Sequence, residues 1–136
     1  KDFVQKNNIE DSVKFLGRLD QKQLPIFYDN LDIYVSTSLS DGGLASSTQE
    51  AMLFERPVVI TDAAENGYWV EDKVNGRLFD CCDSIELAKI ILELLEDQIA
   101  AKELGTKAKE TIVVRSSYKG EMDKMLKIYT KLFNNF

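Results

Sequence analysis

Asp41 and Glu50 are the two side chains whose type and setting could do chemistry, and Gly42 and Gly43 lie between them. All four fall in the stretch from Ser36 to Met52, which runs from a β-branched segment into a run of helix formers. A carboxylate can accept two hydrogen bonds from a vicinal diol, so the pair suits sugar hydroxyls on either side of a diphosphate. Paired glycines let backbone approach a ligand closely. A helix start adds unpaired N–H groups and the positive end of a dipole. Together they form a phosphate cradle that needs no lysine. The stretch has neither the Gly-Lys-Ser/Thr ending of a Walker loop nor a GxGxxG pattern. Two plainer readings stand beside this one. Ser47 and Glu50 have capping-box spacing, so Glu50 could serve only the helix start. Asp41 before Gly-Gly also suits an Asx turn.

Composition narrows the chemistry further. The chain has 136 residues, a length suited to one domain, and no histidine. A Ser-His-Asp or Cys-His unit is therefore excluded within it, as is a His-containing zinc or haem site. No residue cluster reads as a metal site. Cys81 and Cys82 are adjacent and badly placed to bridge each other, which favours a reducing compartment. The start at Lys1 lacks the apolar segment of a signal peptide, and no apolar run approaches a membrane span. The net charge of −6 argues against nucleic acid as a partner. Residues 1–98 carry 9 Lys/Arg against 19 Asp/Glu, whereas residues 99–136 carry 8 against 4.

The elements that must position Asp41 and Glu50 alternate in period. Strands are expected at Val13–Gly17, Asp32–Ser36, Pro57–Thr61 and Arg77–Phe79. Asp20 and Gln23 have capping-box spacing before a helix reaching Asn30, and Ser46–Phe54 reads as the helix behind the Gly-Gly loop. A short helical piece is expected at Asn66–Val70. Asp83 precedes a helix over Ile85–Glu96 with Leu87, Ile90, Ile91, Leu94 and Leu95 inward. A helix over Gln98–Val113 should bury Leu104, Ala108 and Ile112. Ser117 caps a last helix whose Met122, Met125, Leu126, Tyr129, Leu132 and Phe133 make one stripe. That stripe packs on the sheet or a missing domain, or it lies on a membrane. Strand–helix alternation implies an α/β fold: an open, parallel, Rossmann-like sheet with flanking helices and a helical C-terminus. Ligands of such sheets bind outside the carboxyl ends of the strands, which singles out the loop after Ser36.

The whole pattern resembles the second half of the C-terminal, donor-binding domain of a retaining family 4 (group 1) glycosyltransferase of GT-B fold. The resemblance rests on Val13–Gly17, Leu24–Tyr28 with Asp32–Ser36, and Ser40-Asp41-Gly42 leading to Glu50-Ala51-Met52. It continues through Pro57–Asp62, Val70–Phe79 and the helix start at Asp83. The resemblance implies that residues 1–136 are a nucleotide-sugar-binding domain fragment with 98–136 as its terminal helices. It implies that Glu50 holds the nucleotide ribose and Asp41 the donor sugar, as the catalytic pair. Amides around Gly42, Gly43 and Leu44 would hold the diphosphate, and Gly17-Arg18-Leu19 would border the base.

No cofactor is implied beyond the nucleotide-diphosphate sugar, which is the donor substrate. The expected partner is the acceptor-binding N-terminal domain of the same enzyme. The expected place is the cytoplasm, or its membrane face. Three departures weigh on the expectation. The first acidic residue sits one position further from Glu50 than the family's spacing. Glu55-Arg56 replaces the glycine usual before Pro-Val-Val, and Ala63–Trp69 replaces a Gly-Gly-x-x-Glu motif. A catalytically silent binding module on the same scaffold is the alternative that these departures support.

Overall fold

The computed structural model describes residues 1–39 and 43–134. The element order is α1 (Asp2–Lys6), α2 (Gln23–Asp29), β1 (Tyr34–Ser36), α3 (Ser46–Leu53), β2 (Val58–Thr61), α4 (Asn66–Trp69), β3 (Arg77–Phe79), α5 (Ser84–Glu96), α6 (Gln98–Arg115) and α7 (Tyr118–Phe133). The strands form one parallel sheet in the order β1-β2-β3, with Val35 opposite Val59 and Ile60 opposite Leu78. This is the α/β architecture that the alternating pattern predicts.

β2 is buried at every position, as an apolar run in the middle of a covered sheet should be. Its side chains alternate between the two faces. Val58 and Ile60 join Tyr28, Leu44, Ala51, Met52, Val70, Ala108 and Ile112 in one apolar cluster. Val59 joins Phe79, Ile90, Leu94, Ala101 and Leu104 in another. Helix α6 thus contributes its first half to one cluster and its second half to the other. Leu104, Ala108 and Ile112 are buried as the periodicity predicts. Of the α5 stripe, Ile90 and Leu94 are buried, but Leu95 faces outward.

Gly105 lies between the two halves of α6. A Cβ built there would sit 2.0 Å from the carbonyl oxygen of Glu55, a backbone atom that cannot swing away. The helix therefore runs directly against the turn between α3 and β2. That turn closes α3 without a glycine. Glu55 takes a φ of 56°, while its N–H donates to Met52 O at 3.0 Å and that of Arg56 to Ala51 O at 3.0 Å. This is the Schellman pattern with glutamate in the left-handed position. Lys109 of α6 donates to Glu55 Oε1 at 2.6 Å, and that hydrogen bond, with the charge behind it, holds the Glu55 carboxyl below its usual range. Arg56 donates through Nη1 to Leu31 O at 3.0 Å, tying the end of α2 to the same turn.

The polar spacing signals take physical form. Asp20 N–H donates to Gln23 Oε1 at 3.0 Å and Gln23 N–H to Asp20 Oδ1 at 2.9 Å, a closed capping box, although α2 proper begins only at Gln23. Asp83 and Ser117 cap α5 and α7 with their side chains, and Asp97, not singled out from sequence, caps α6 in the same way. Two expectations fail. Val13–Gly17 forms no ladder with any described residue, and Val13, Phe15 and Leu16 are exposed. A strand exists only with a partner, and none of the described residues pairs with this segment. The stripe of α7 does form a helix face, but no residue of that helix is buried. Among the described residues no helix is long and apolar enough to cross a membrane.

Gly105→Ala should cost about 3 kcal/mol or more, the upper end for overpacking against fixed atoms, and lower the Tm by about 10 °C. A thermal melt unchanged within a degree would show that α6 can withdraw from the Glu55 turn.

Candidate functional site

The loop after β1 and the start of α3 lie at the carboxyl edge of the sheet. Gly43 has a φ of 117°, a region glycine enters without penalty. Leu44 is buried in the cluster that contains Tyr28 and Met52. Its carbonyl accepts a hydrogen bond from Gln49 Nε2 at 2.9 Å, and Gln49 Oε1 accepts one from Ser116 Oγ at 3.1 Å. The loop end is thereby anchored to the C-terminus of α6. Thr61 Oγ1, at the end of β2, donates to the carbonyl of Ser38 and ties together the loops after β1 and β2. Asp41 and Gly42 lie outside the described residues.

Helix α3 begins at Ser46 with Ala45 as its N-cap and no side-chain cap. The amides of Ser46, Ser47 and Thr48 have no backbone acceptor among the described residues. Alanine in place of Ser, Asp or Asn at an N-cap forgoes about 1 kcal/mol. The capping-box reading of Ser47 and Glu50 is overturned. Ser47 lies inside the helix, and its Oγ shares a hydrogen bond with Tyr34 OH at 2.8 Å. Glu50 does not reach back to the helix start. Its Oε2 instead accepts a hydrogen bond from Tyr28 OH at 2.9 Å.

Tyr28 is 3% exposed. Its ring meets Phe27 edge-on at 5.3 Å and stacks on Phe54 at 5.4 Å. Burial first, and the hydrogen bond to Glu50 next, push the phenol above its ordinary range. The other carboxylate oxygen of Glu50, Oε1, has no hydrogen bond to a described residue. Glu50 itself is half-buried, so this second oxygen is not sealed inside the core. Among the described residues the arrangement offers three helix amides without an acceptor and, one turn further along, a carboxylate held by Tyr28 through one oxygen.

The structure brings Gly43, Leu44 and Glu50 together around α3. Gly17, Arg18 and Leu19 form no hydrogen bond with α3 or its loop among the described residues. Gly17 has a φ of 70°, Arg18 is exposed, and Leu19 is half-buried. Trp69 packs against the Tyr28 cluster, with the Arg115 guanidinium 5.0 Å above its ring, so it serves the core. Sequence reasoning missed Tyr28 as a polar partner of the site. The signal was available: a tyrosine on the apolar face of a helix must find a hydrogen-bond acceptor when buried.

The sequence profile of the family described as "Glycosyl transferases group 1" matches residues 1–111. A Staphylococcus aureus poly(ribitol-phosphate) alpha-N-acetylglucosaminyltransferase is 31% identical over 129 residues, covering 93% of this chain and 25% of its own length. Among solved structures, the sucrose-phosphate synthase of Thermosynechococcus elongatus superposes with a TM-score of 0.90 at 25% identity, over 99% of this chain and 34% of that one. Anabaena HepE, solved in complex with UDP-glucose, superposes with a TM-score of 0.85 at 26% identity, over 94% of this chain and 35% of its own. The chain thus spans about a quarter to a third of the length of these proteins.

Ionisation of Tyr28 should favour the unfolded chain. Its raised folded value means the contribution is whole below about pH 10, where free tyrosine titrates, and drains as pH rises towards that value. The denaturant-derived stability of the protein should therefore fall more steeply than that of Tyr28→Phe above pH 10, by up to about 1.4 kcal/mol per pH unit. Parallel slopes for the two proteins would contradict the burial of this phenol against Glu50.

Proposed function

This chain belongs to the group 1 glycosyl transferases, and on that premise we propose that it is the donor-binding part of a retaining, family 4 enzyme. The enzyme would transfer a sugar from a nucleotide-diphosphate donor to a glycan, lipid-linked or polysaccharide acceptor. The observation that carries this reading is Glu50: a carboxylate steadied by Tyr28 through one oxygen, beside a helix start with no side-chain cap among the described residues. The HepE complex with UDP-glucose, on a matching fold, supports a nucleotide sugar as ligand.

In this reading Glu50 accepts hydrogen bonds from the ribose hydroxyls. The amides from Gly42 to Leu44 and those opening α3 hold the diphosphate through hydrogen bonds and the helix dipole. Asp41 takes hydroxyls of the donor sugar, and Gly17-Arg18-Leu19 borders the base. Catalysis is electrostatic and positional: amides stabilise the charge that develops on the departing diphosphate. The leaving phosphate takes the acceptor proton, so no histidine is required. Cations that complete the neutralisation, and the groups that bind the acceptor, would come from the rest of the enzyme.

Two measurements test the proposal. In the full-length protein, Glu50→Ala should lower donor affinity and turnover by roughly 10- to 100-fold, the effect of losing hydrogen bonds to a charged group. Unchanged turnover and affinity would leave the silent-module reading in its place. Residues 1–136 alone should bind donor weakly and transfer no sugar. Sub-micromolar affinity by titration calorimetry, or robust turnover, would contradict their role as one part of a divided site.

A further inference from the structure

Glu50 is a long side chain with a terminal torsion that is broad and poorly fixed on its own. A half-buried carboxylate at a helix surface would sample several directions, and each would present its oxygens differently to a diol. The hydrogen bond from Tyr28 removes that freedom. The phenol cannot follow the carboxylate, because its ring is held edge-on to Phe27 and stacked on Phe54, the residue that ends α3. It cannot retire into solvent either, since it is buried. Its donor therefore stands at a fixed point between α2 and α3.

We infer that Tyr28 is a positioning residue for ribose recognition: by holding Glu50 Oε2, it aims Oε1 at a ribose hydroxyl and makes the site discriminate ribonucleotides from their deoxy counterparts. The inference rests on the donor-binding reading of Glu50. The raised pKa of the phenol agrees with it, because a proton that is never lost keeps the hydrogen bond made throughout the working pH range. The geometry also explains why a tyrosine stands here and a phenylalanine does not. Packing alone would favour the ring without a hydroxyl, whose burial costs free energy unless it is bonded.

The experiment uses full-length protein and two probes. One is whichever of UDP, ADP or GDP binds tightest; the other is the 2′,3′-dideoxy form of the same diphosphate. The measured quantity is the ratio of their Kd values by titration calorimetry. Tyr28→Phe keeps the ring and its packing and removes only the donor. It should bind the dideoxy form within 2-fold of the unaltered protein, yet lose about 10-fold in affinity for the ribonucleotide. An unchanged ratio overturns the inference. Equal loss for both probes also overturns it, since that is the signature of a structural role only. Glu50→Gln separates this inference from the reading on which it rests. If Glu50→Gln leaves the ratio intact, the ribose assignment itself has failed. If Glu50→Gln collapses the ratio and Tyr28→Phe does not, Glu50 reads the ribose without help from Tyr28.

Discussion

The close approach of α6 to the backbone at Glu55 is the constraint on which the other features depend. Only a residue without a side chain fits at position 105, and this permits one helix to serve two apolar clusters. Ala101 and Leu104 close the face under α5, while Ala108 and Ile112 close the face under α3. A small sheet of short strands gains a continuous support from one rigid element. The same approach places Lys109 against Glu55, which steadies a left-handed residue where a glycine would be unstrained. It also delivers Ser116, just past the end of α6, to Gln49, and Gln49 holds the carbonyl of Leu44. The packing of α6 is in this way connected by hydrogen bonds to the loop that opens α3.

Local spacing signals were legible wherever the physics is local. Asp20 with Gln23, Asp83 and Ser117 act within a single turn, so neighbouring residues decide the outcome. The β3 strand at Arg77–Phe79 and the apolar β2 were equally readable, because turn residues and burial on both faces leave a mark in composition. Val13–Gly17 has the composition of a strand but no partner among the described residues, and no property of the segment itself can supply one. Periodicity on α7 marks an amphipathic face correctly, but whether something covers that face is decided elsewhere. Leu95 extends the apolar stripe of α5 in sequence yet is exposed while its neighbour Leu94 is buried, since successive helical residues point about 100° apart.

Glu50 shows why the candidate site was only half legible. Ser47 and Glu50 match a capping box, and the match is the same whether or not the helix begins at Ser47. A capping box would need Ser47 at the N-cap, but the N-cap falls two residues earlier, at Ala45, which has no side chain to cap with. That shift removes the local explanation for the glutamate and leaves Tyr28 as its partner among the described residues, 22 positions away in the chain. A long-range hydrogen bond of this kind has no spacing signature. What sequence does carry is the accounting rule that a buried hydroxyl needs an acceptor, and a half-buried carboxylate a donor. Applied to both residues at once, the rule pairs them.

Charge sharpens the remaining question of how such a site would hold a diphosphate. Residues 1–98 carry an excess of carboxylates, so the general field around α3 opposes an anion. Backbone amides escape this conflict because they act at hydrogen-bond range, well inside the ~8 Å over which salt screens the wider field. An uncapped helix start is thus the kind of anion site an acidic body can retain. Among the described residues no side chain caps the helix at Ala45, so an anion there would meet amides that need an acceptor. Amides alone offset a fraction of a diphosphate's charge, since a helix start contributes only about half an elementary charge. The remainder needs cations, and the basic excess of this chain lies in residues 99–136, of which α7 buries none of its side chains here. In the proposed donor-binding reading a division of labour follows: this segment would fix the orientation of the donor through Glu50 and the start of α3, and neutralisation would fall to cations outside it.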